Sequence, residues 1–299
     1  IATGLEPEQI EVGHVGNFVA ERFCQQGLMG GFFGHVSPEL RDIPTSRHEA
    51  ACASGSMAAL AAMSDIQAGH YELACVVGAE LMRNVPGKVG AEYLGAATWA
   101  GKELLDCDYP WPHMFDQLAA EYDRRYGMHY DSLKTIARIN YNNAARNPFA
   151  QSRNWTIEAG HFSDNDQLNP LIEGRMRKMD CGQITDGAAC IFLASERAAR
   201  VYAQGRGLSL NEIPYIKGWG HRSAPLLLTE KLRISAQQPF IESVAIRGAE
   251  LLQEVQTGHP RQLVRNEDHI RRVRNDRSQR FFRIANPGQP SSQTVQTVH

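Results

Sequence analysis

Apolar and polar positions along the chain fall into short blocks whose period changes from two, to continuous, to helical. The first block, residues 10–17 (IEVGHVGN), is predicted as a strand leading through a turn into a helix. Residues 22–40 are rich in Gly and aromatic side chains and read as partly helical, and Pro44 marks a turn. A short strand at 47–51 is predicted to run straight into a helix over 52–69, which Gly69 closes. Residues 72–80 form an unbroken apolar run, the mark of a strand covered on both faces. Strand, helix and strand within about thirty residues predict a parallel βαβ unit. From Arg83 to Pro112 the pattern breaks, and a long functional loop is expected. Helices are predicted over 114–127 and 131–147, the second with Asp131 as N-cap. After an irregular stretch over 148–172 come a buried strand at 188–194, a helix at 196–205 and a strand at 213–221.

Beyond about Pro239 the character changes. Residues 271–280 carry five Arg, and 286–299 are rich in Gln, Ser, Thr and Pro. This tail lacks a periodic apolar face and is expected to be poorly ordered. Glu267, Asp268 and Asp276 interleave with the arginines and no aromatic pattern accompanies them, so nucleic acid is not an expected partner.

Composition narrows the class. A chain of 299 residues suits one large domain or two, and its formal charge of −2 points to neither nucleic acid nor a membrane surface. No apolar run reaches the ~18 residues of a membrane-spanning helix, and no N-terminal signal is visible. The chain opens on Ile1 rather than Met, which reads as a missing start. Its six cysteines are scattered, without CxxC or Cys/His metal spacing. That pattern fits free thiols in a reducing compartment and no metal site.

One thiol stands apart. Cys52 lies where the predicted strand meets the predicted helix, among Ala51, Ala53, Ser54, Gly55 and Ser56. In a first helical turn, unpaired N–H groups and the helix dipole favour the thiolate, which is the nucleophile. The same N–H groups donate to an oxyanion formed on an attacked carbonyl. Small neighbours leave room for an acyl chain. The competing reading is a buried small hydrophobe. Cys75 and Cys190, inside apolar strands, read as structural, and so does His48.

The stretch EAACASGSMAALAA (49–62) resembles the acylated-cysteine motif of the thiolases, in the branch of acetyl-CoA acetyltransferases and sterol-carrier-protein-type thiolases. EVGHVGNF (11–18), ACVVGAELM (74–82), MFDQLAAEYDRRYGMHYDSL (114–133) and DCGQITDGAACIFLAS (180–195) are similar to further family segments, in the same order. The resemblance covers roughly residues 5–235. It implies an α/β fold, the layered α-β-α architecture of thiolases, with an N-terminal-type domain over 1–205 and a loop region at about 83–172. Residues 206–239 would begin the second half, and 240–299 stand as an atypical tail.

The resemblance also implies ping-pong acyl transfer. Cys52 takes an acyl group from acetyl-CoA or a 3-ketoacyl-CoA, and CoA resolves the thioester. CoA is then a substrate and no cofactor is permanently bound. Met114 matches a position in the acyl pocket wall, with ordinary packing as the alternative, and His113 beside it is a candidate for CoA contact. A homodimer is implied, in the cytoplasm, or in a peroxisome or mitochondrion of a eukaryote.

The family's remaining acid/base and oxyanion groups lie in Gly-Gly-His-Pro, Asn-Glu-Ala-Phe or His-Asp-Cys-Phe, and Cys-x-Gly motifs. None appears here, and no cysteine follows Cys190. His259 and Pro260 lack the flanking pattern and read as coincidence. The alternative function is therefore a catalytically incomplete thiolase-like chain that binds acyl-CoA or a partner subunit. A ketoacyl synthase or hydroxymethylglutaryl-CoA synthase fits the 114–133 and 180–195 segments less well. Asp186 and Gly187 read as a turn into the following strand, and Trp219 and His221 as weak candidates for ligand contact.

Overall fold

The computed structural model describes residues 3–237 and 279–284. In chain order the elements are β1 (Val12–Gly16), α1 (Ala20–Phe23), α2 (Phe33–Val36), β2 (Thr45–His48), α3 (Ser54–Gln67) and β3 (Leu73–Glu80). There follow α4 (Gly87–Leu94), α5 (Pro110–Tyr126), α6 (Tyr130–Arg146), β4 (Leu171–Glu173) and β5 (Met176–Arg177). The last are β6 (Gly187–Ser195), α7 (Glu196–Gly205), β7 (Tyr215–Ile216), α8 (Leu228–Gln237) and β8 (Gln279–Ile284). They divide between two compact units. Among the described residues, the first contains 3–80, 187–222 and 279–284, the second 81–186 and 223–237.

The first unit is a six-stranded sheet in the order β2-β1-β3-β6-β8-β7. β1 runs parallel to β2 and β3, β6 is antiparallel to β3, and β8 is parallel to β6 and β7. The predicted βαβ unit is present: α3 carries the chain from β2 to β3, and β1 lies between the two strands. Each face of the sheet has its own core. On one, Val12, Val76 and Leu193 meet Ala58, Ala62, Met63 and Ile66 of α3. On the other, Val15, Cys75 and Phe192 pack with Phe33, Leu40, Ala199 and Ala203. Alternation along β1 explains the division, since Val12 and Val15 point to opposite faces. The result is the expected layered α-β-α arrangement. Ser195 caps α7, its hydroxyl accepting from the Ala198 N–H at 3.1 Å.

The second unit pairs the α5 and α6 helices with the β4–β5 hairpin. Arg175, between the two strands, sits 3.2 Å from Asp116 and 3.5 Å from Asp123 of α5. Arg177 lies 2.7 Å from Asp166 and donates to the Asn169 carbonyl at 2.7 Å. Among the described residues no helix is long and apolar enough to cross a membrane.

Several local expectations are corrected. β2 ends at His48, three residues short of the predicted boundary, and α3 begins at Ser54 rather than at residue 52. The span expected to be a loop contains α4. His129, not Asp131, is the N-cap of α6; Asp131 lies inside the first turn and pairs with Lys134 at 3.0 Å. The strand predicted at 213–221 shrinks to two residues, because Gly218 and Gly220 supply no side chain to pack. Within the tail, Gln279–Ile284 forms β8 beside β6. His259, Pro260, most of the Arg cluster and residues 286–299 lie outside the described residues.

Candidate active site

The carboxyl ends of β1, β2 and β3 meet the start of α3. Between β2 and α3 the chain makes a tight turn. Ala50 has φ −160° and ψ 49°, Ala51 takes a left-handed φ of 50°, and residues 51–53 form one 3-10 turn. Cys52 sits in that turn, two residues ahead of α3, and its side chain is exposed. An alanine with positive φ is a strained choice, costing roughly 1–2 kcal/mol relative to the right-handed form.

Two side chains hold the turn. The buried Ser54 accepts from the Ala50 N–H at 3.0 Å and donates to the Ala51 carbonyl at 2.6 Å. The Glu49 carboxylate accepts from the Ala51 N–H at 2.5 Å. Both peptide groups flanking the left-handed residue are thus bonded. The first turn of α3 has no capping side chain and no acidic residue. Its N–H groups and the positive end of the helix face the turn that carries Cys52. Among the described residues no side chain hydrogen-bonds the Cys52 thiol.

The sheet fixes where this turn sits. A Cβ built on Gly16, the last residue of β1, would come within 2.5 Å of the Gly55 Cα and 2.6 Å of its N. Only glycine permits that backbone-to-backbone approach between strand and helix start. Beyond Gly16, the buried Asn17 side chain donates to the Ala79 carbonyl at 2.8 Å and to Glu80 at 3.0 Å, and its Oδ1 accepts from the Ala20 N–H. Glu80 also accepts from the Phe18 N–H at 2.7 Å. Burial raises the Glu80 pKa, against the lowering effects of that bond and of Arg47. Arg47 pairs with Glu21 and donates to the Asn17 and Phe18 carbonyls.

A second polar cluster joins β1, β2 and α3. His14 is 2% exposed, with Nδ1 3.0 Å from His48 Nε2. The exposed Ser46 hydroxyl lies 2.9 Å from the same His48 nitrogen. On its other side His14 Nε2 is 3.3 Å from the Asp65 carboxylate, without meeting hydrogen-bond geometry. Burial lowers the pKa of both histidines, and in His14 the neighbouring His48 adds to the effect.

The structure places Cys52 in the first unit and His113 and Met114 in the second. Met114 is buried on α5. His113 Nε2 lies 2.8 Å from the Gln117 amide nitrogen, and its Nδ1 lies 3.5 Å from Glu173. Glu173 also accepts from the Asp108 and Tyr109 N–H groups, at 3.0 Å each, at the start of α5. Asp186 accepts from the Met82 and Arg83 N–H groups at 2.7 and 2.9 Å. Trp219 and His221 are exposed on the segment after β7. Among the described residues no cluster of three or more His, Cys, Asp or Glu is arranged to hold a metal.

The residues that sequence reasoning missed are those that hold the turn: Gly16, Glu49 and Ser54. A Ser three residues after a tight-turn position was the available signal, because such hydroxyls bond nearby backbone. Gly16 carried no local signal, since its role depends on contact with a helix almost forty residues away.

The first unit thus presents an exposed cysteine on a turn between a parallel strand and a helix, in a layered α-β-α domain. The chain belongs to the thiolase family: residues 2–197 match the family model described as "Thiolase, N-terminal domain". It is similar to an acetyl-CoA acetyltransferase of Methanothermobacter thermautotrophicus, at 28% identity over 67% of this chain and 50% of the relative. A second acetyl-CoA acetyltransferase, from Methanocaldococcus jannaschii, is 26% identical over 79% of this chain and 56% of the relative. The chain spans about half the length of these curated relatives.

Proposed function

We propose that the chain takes part in thiolase-type acyl transfer, with Cys52 as the nucleophile that accepts an acyl group from acetyl-CoA or a 3-ketoacyl-CoA. One observation carries the reading: an exposed thiol on a strained turn whose flanking peptide groups are tied down by Ser54 and Glu49. The sulfur attacks a substrate carbonyl, and the tetrahedral oxyanion forms beside the open N–H groups at the start of α3. With acetyl-CoA, the Cys52 thiolate adds to the thioester carbonyl, and collapse expels CoA as its thiolate and leaves an S-acetyl enzyme. With a 3-ketoacyl-CoA the sulfur adds to the 3-keto carbonyl instead, the C2–C3 bond breaks, and acetyl-CoA leaves as its enolate and takes up a proton. The donors stabilise charge that develops only in the transition state, where it speeds the reaction. Met114 is assigned to the acyl pocket wall on family position, and His113, which precedes it, to CoA contact. A homodimer is the proposed assembly.

The second reading is an acyl-CoA-binding or subunit-binding chain that depends on another polypeptide for its acid and base. It is favoured by the lack, among the described residues, of a hydrogen-bonding side chain on the Cys52 thiol.

The test is intact-protein mass spectrometry after incubation with acetyl-CoA and with acetoacetyl-CoA. An acetyl adduct on Cys52, missing in Cys52→Ala, is the expected result. Retained CoA binding with no adduct on any cysteine would move the assignment to the second reading.

A further inference from the structure

Two other thiols meet inside the sheet. Cys75 on β3 and Cys190 on β6 lie on adjacent antiparallel strands, in a register that places Cys75 opposite Phe192 and Cys190 opposite Val77. Positions two apart on a strand share a face, so the two side chains are diagonal neighbours on one side of the sheet. Their sulfurs are 3.5 Å apart. A disulfide needs about 2 Å, so the gap to close is on the order of one carbon–carbon bond length, within reach of small side-chain rotations. Cys75 is buried, whereas Cys190 is only partly so. Apolar side chains, Val15, Phe192 and Ala199 among them, make up the surrounding cluster.

We propose that Cys75 and Cys190 are an oxidation site, converted to a disulfide by hydrogen peroxide or an organic hydroperoxide. The Cys190 sulfur, the more open of the two, attacks one peroxide oxygen. The O–O bond breaks, the other oxygen leaves as water or alcohol, and Cys190 becomes a sulfenic acid. The Cys75 sulfur then attacks the Cys190 sulfur. The S–O bond breaks, the S–S bond forms, and the hydroxyl departs as water with the Cys75 proton. Two electrons pass from the sulfur pair to the peroxide. Exposure supports this order, since Cys190 is partly open and Cys75 is buried behind it.

The bond would join the two strands between which the whole segment 81–186 leaves and returns. It would close a covalent loop of more than one hundred residues, the long-loop case in which a cross-link most restricts the unfolded chain. The site is independent of acyl transfer and stands whether or not Cys52 is acylated.

The experiment treats the full chain, and its Cys52→Ser variant, with equimolar hydrogen peroxide. Free thiols are then alkylated under denaturing acid quench, and the peptides are mapped without reduction. The expected product in both proteins is one cross-linked species containing Cys75 and Cys190. It should be two hydrogens lighter than the reduced peptides together and be lost on treatment with dithiothreitol. The oxidised protein should unfold at a higher temperature than the reduced one. In Cys190→Ala, Cys75 should be recovered as an unmodified thiol at the same peroxide dose. Recovery of both residues as free thiols while other cysteines oxidise would overturn the proposal. Accumulation of Cys190 sulfinic acid beside an intact Cys75 thiol would overturn it equally. Both outcomes are read in the protein without substitutions at these positions, so a folding defect in Cys190→Ala leaves the test intact.

Discussion

The hydroxyl of Ser54 bonds to both sides of Ala51, accepting from the N–H of the residue before it and donating to its carbonyl. Ala51 is the left-handed residue directly ahead of Cys52. Ser54→Ala removes this staple and leaves the Ala50 N–H without its side-chain partner, while the Ala51 carbonyl keeps the Ser54 backbone N–H. Loss of stability of about 1–3 kcal/mol is expected, read from urea unfolding. The rate of Cys52 alkylation by iodoacetamide should change several-fold, whereas the other exposed thiol, Cys24, should react as before.

Ala51 itself gives a signed comparison. Glycine relieves roughly 1–2 kcal/mol of left-handed strain and costs about 0.5–1 kcal/mol in unfolded-state entropy. Ala51→Gly should therefore be neutral or stabilising by up to about 1.5 kcal/mol. Ala51→Val places a β-branched side chain at the same φ and should destabilise clearly. Equal unfolding midpoints for the Gly and Val variants would show that the turn does not hold this backbone.

Gly16→Ala tests the contact between β1 and α3. The added carbon falls 2.5 Å from the Gly55 Cα, and both partners are backbone, so a side-chain rotation cannot relieve it. Overpacking of this kind costs about 1–3 kcal/mol. The displaced element is the helix start behind Cys52, so S-acetylation by acetyl-CoA should fall more steeply than stability alone would require. An S-acetylation rate equal to wild type in the folded variant would separate the helix start from the chemistry.

The His14–His48 cluster predicts acid sensitivity. Burial lowers both histidine pKa values below the ordinary 6.5. As the pH falls through 6.5 the unfolded chain therefore binds protons first, and stability is lost until the folded-state values are passed. Glu80 acts in the opposite sense. Its raised pKa gives stability that is present below 4.5 and lost as pH rises through the folded value. The urea midpoint should drop between pH 7 and pH 5. His14→Gln should flatten that slope, and Glu80→Gln should steepen it.

Glu173 closes the start of α5 by accepting from two N–H groups. Glu173→Ala should destabilise by about 1 kcal/mol, the scale of a lost helix cap. Hydrogen exchange at Asp108 and Tyr109 should accelerate with it.

Much of the first unit was legible in the sequence, for a physical reason. The continuous apolar run of β3 and of β6's second half needs burial on both faces, and the sheet supplies it. The small residues around Cys52 mark the tight turn between strand and helix. The register of that turn was misread by two residues, because Ser54 hydrogen-bonds back to Ala50 and Ala51 and delays the helix. α4 is not legible as a helix, because Gly87, Gly90 and Gly95 mask a short helix in which Ala91 is buried. The His14–His48–Asp65 cluster was not legible, since it is assembled from three separate elements.

The pairing of β3 with β6 also sets the order in which the molecule can form. β1, β2, α3 and β3 lie within one contiguous stretch and can assemble early. Every β3–β6 pair joins residues more than one hundred positions apart, and loop closure over that length is entropically costly and slow. The seam at the centre of the sheet should therefore be the rate-limiting step of folding. Until it closes, β3 presents an unpaired apolar edge, and that transient edge is where aggregation during refolding should begin.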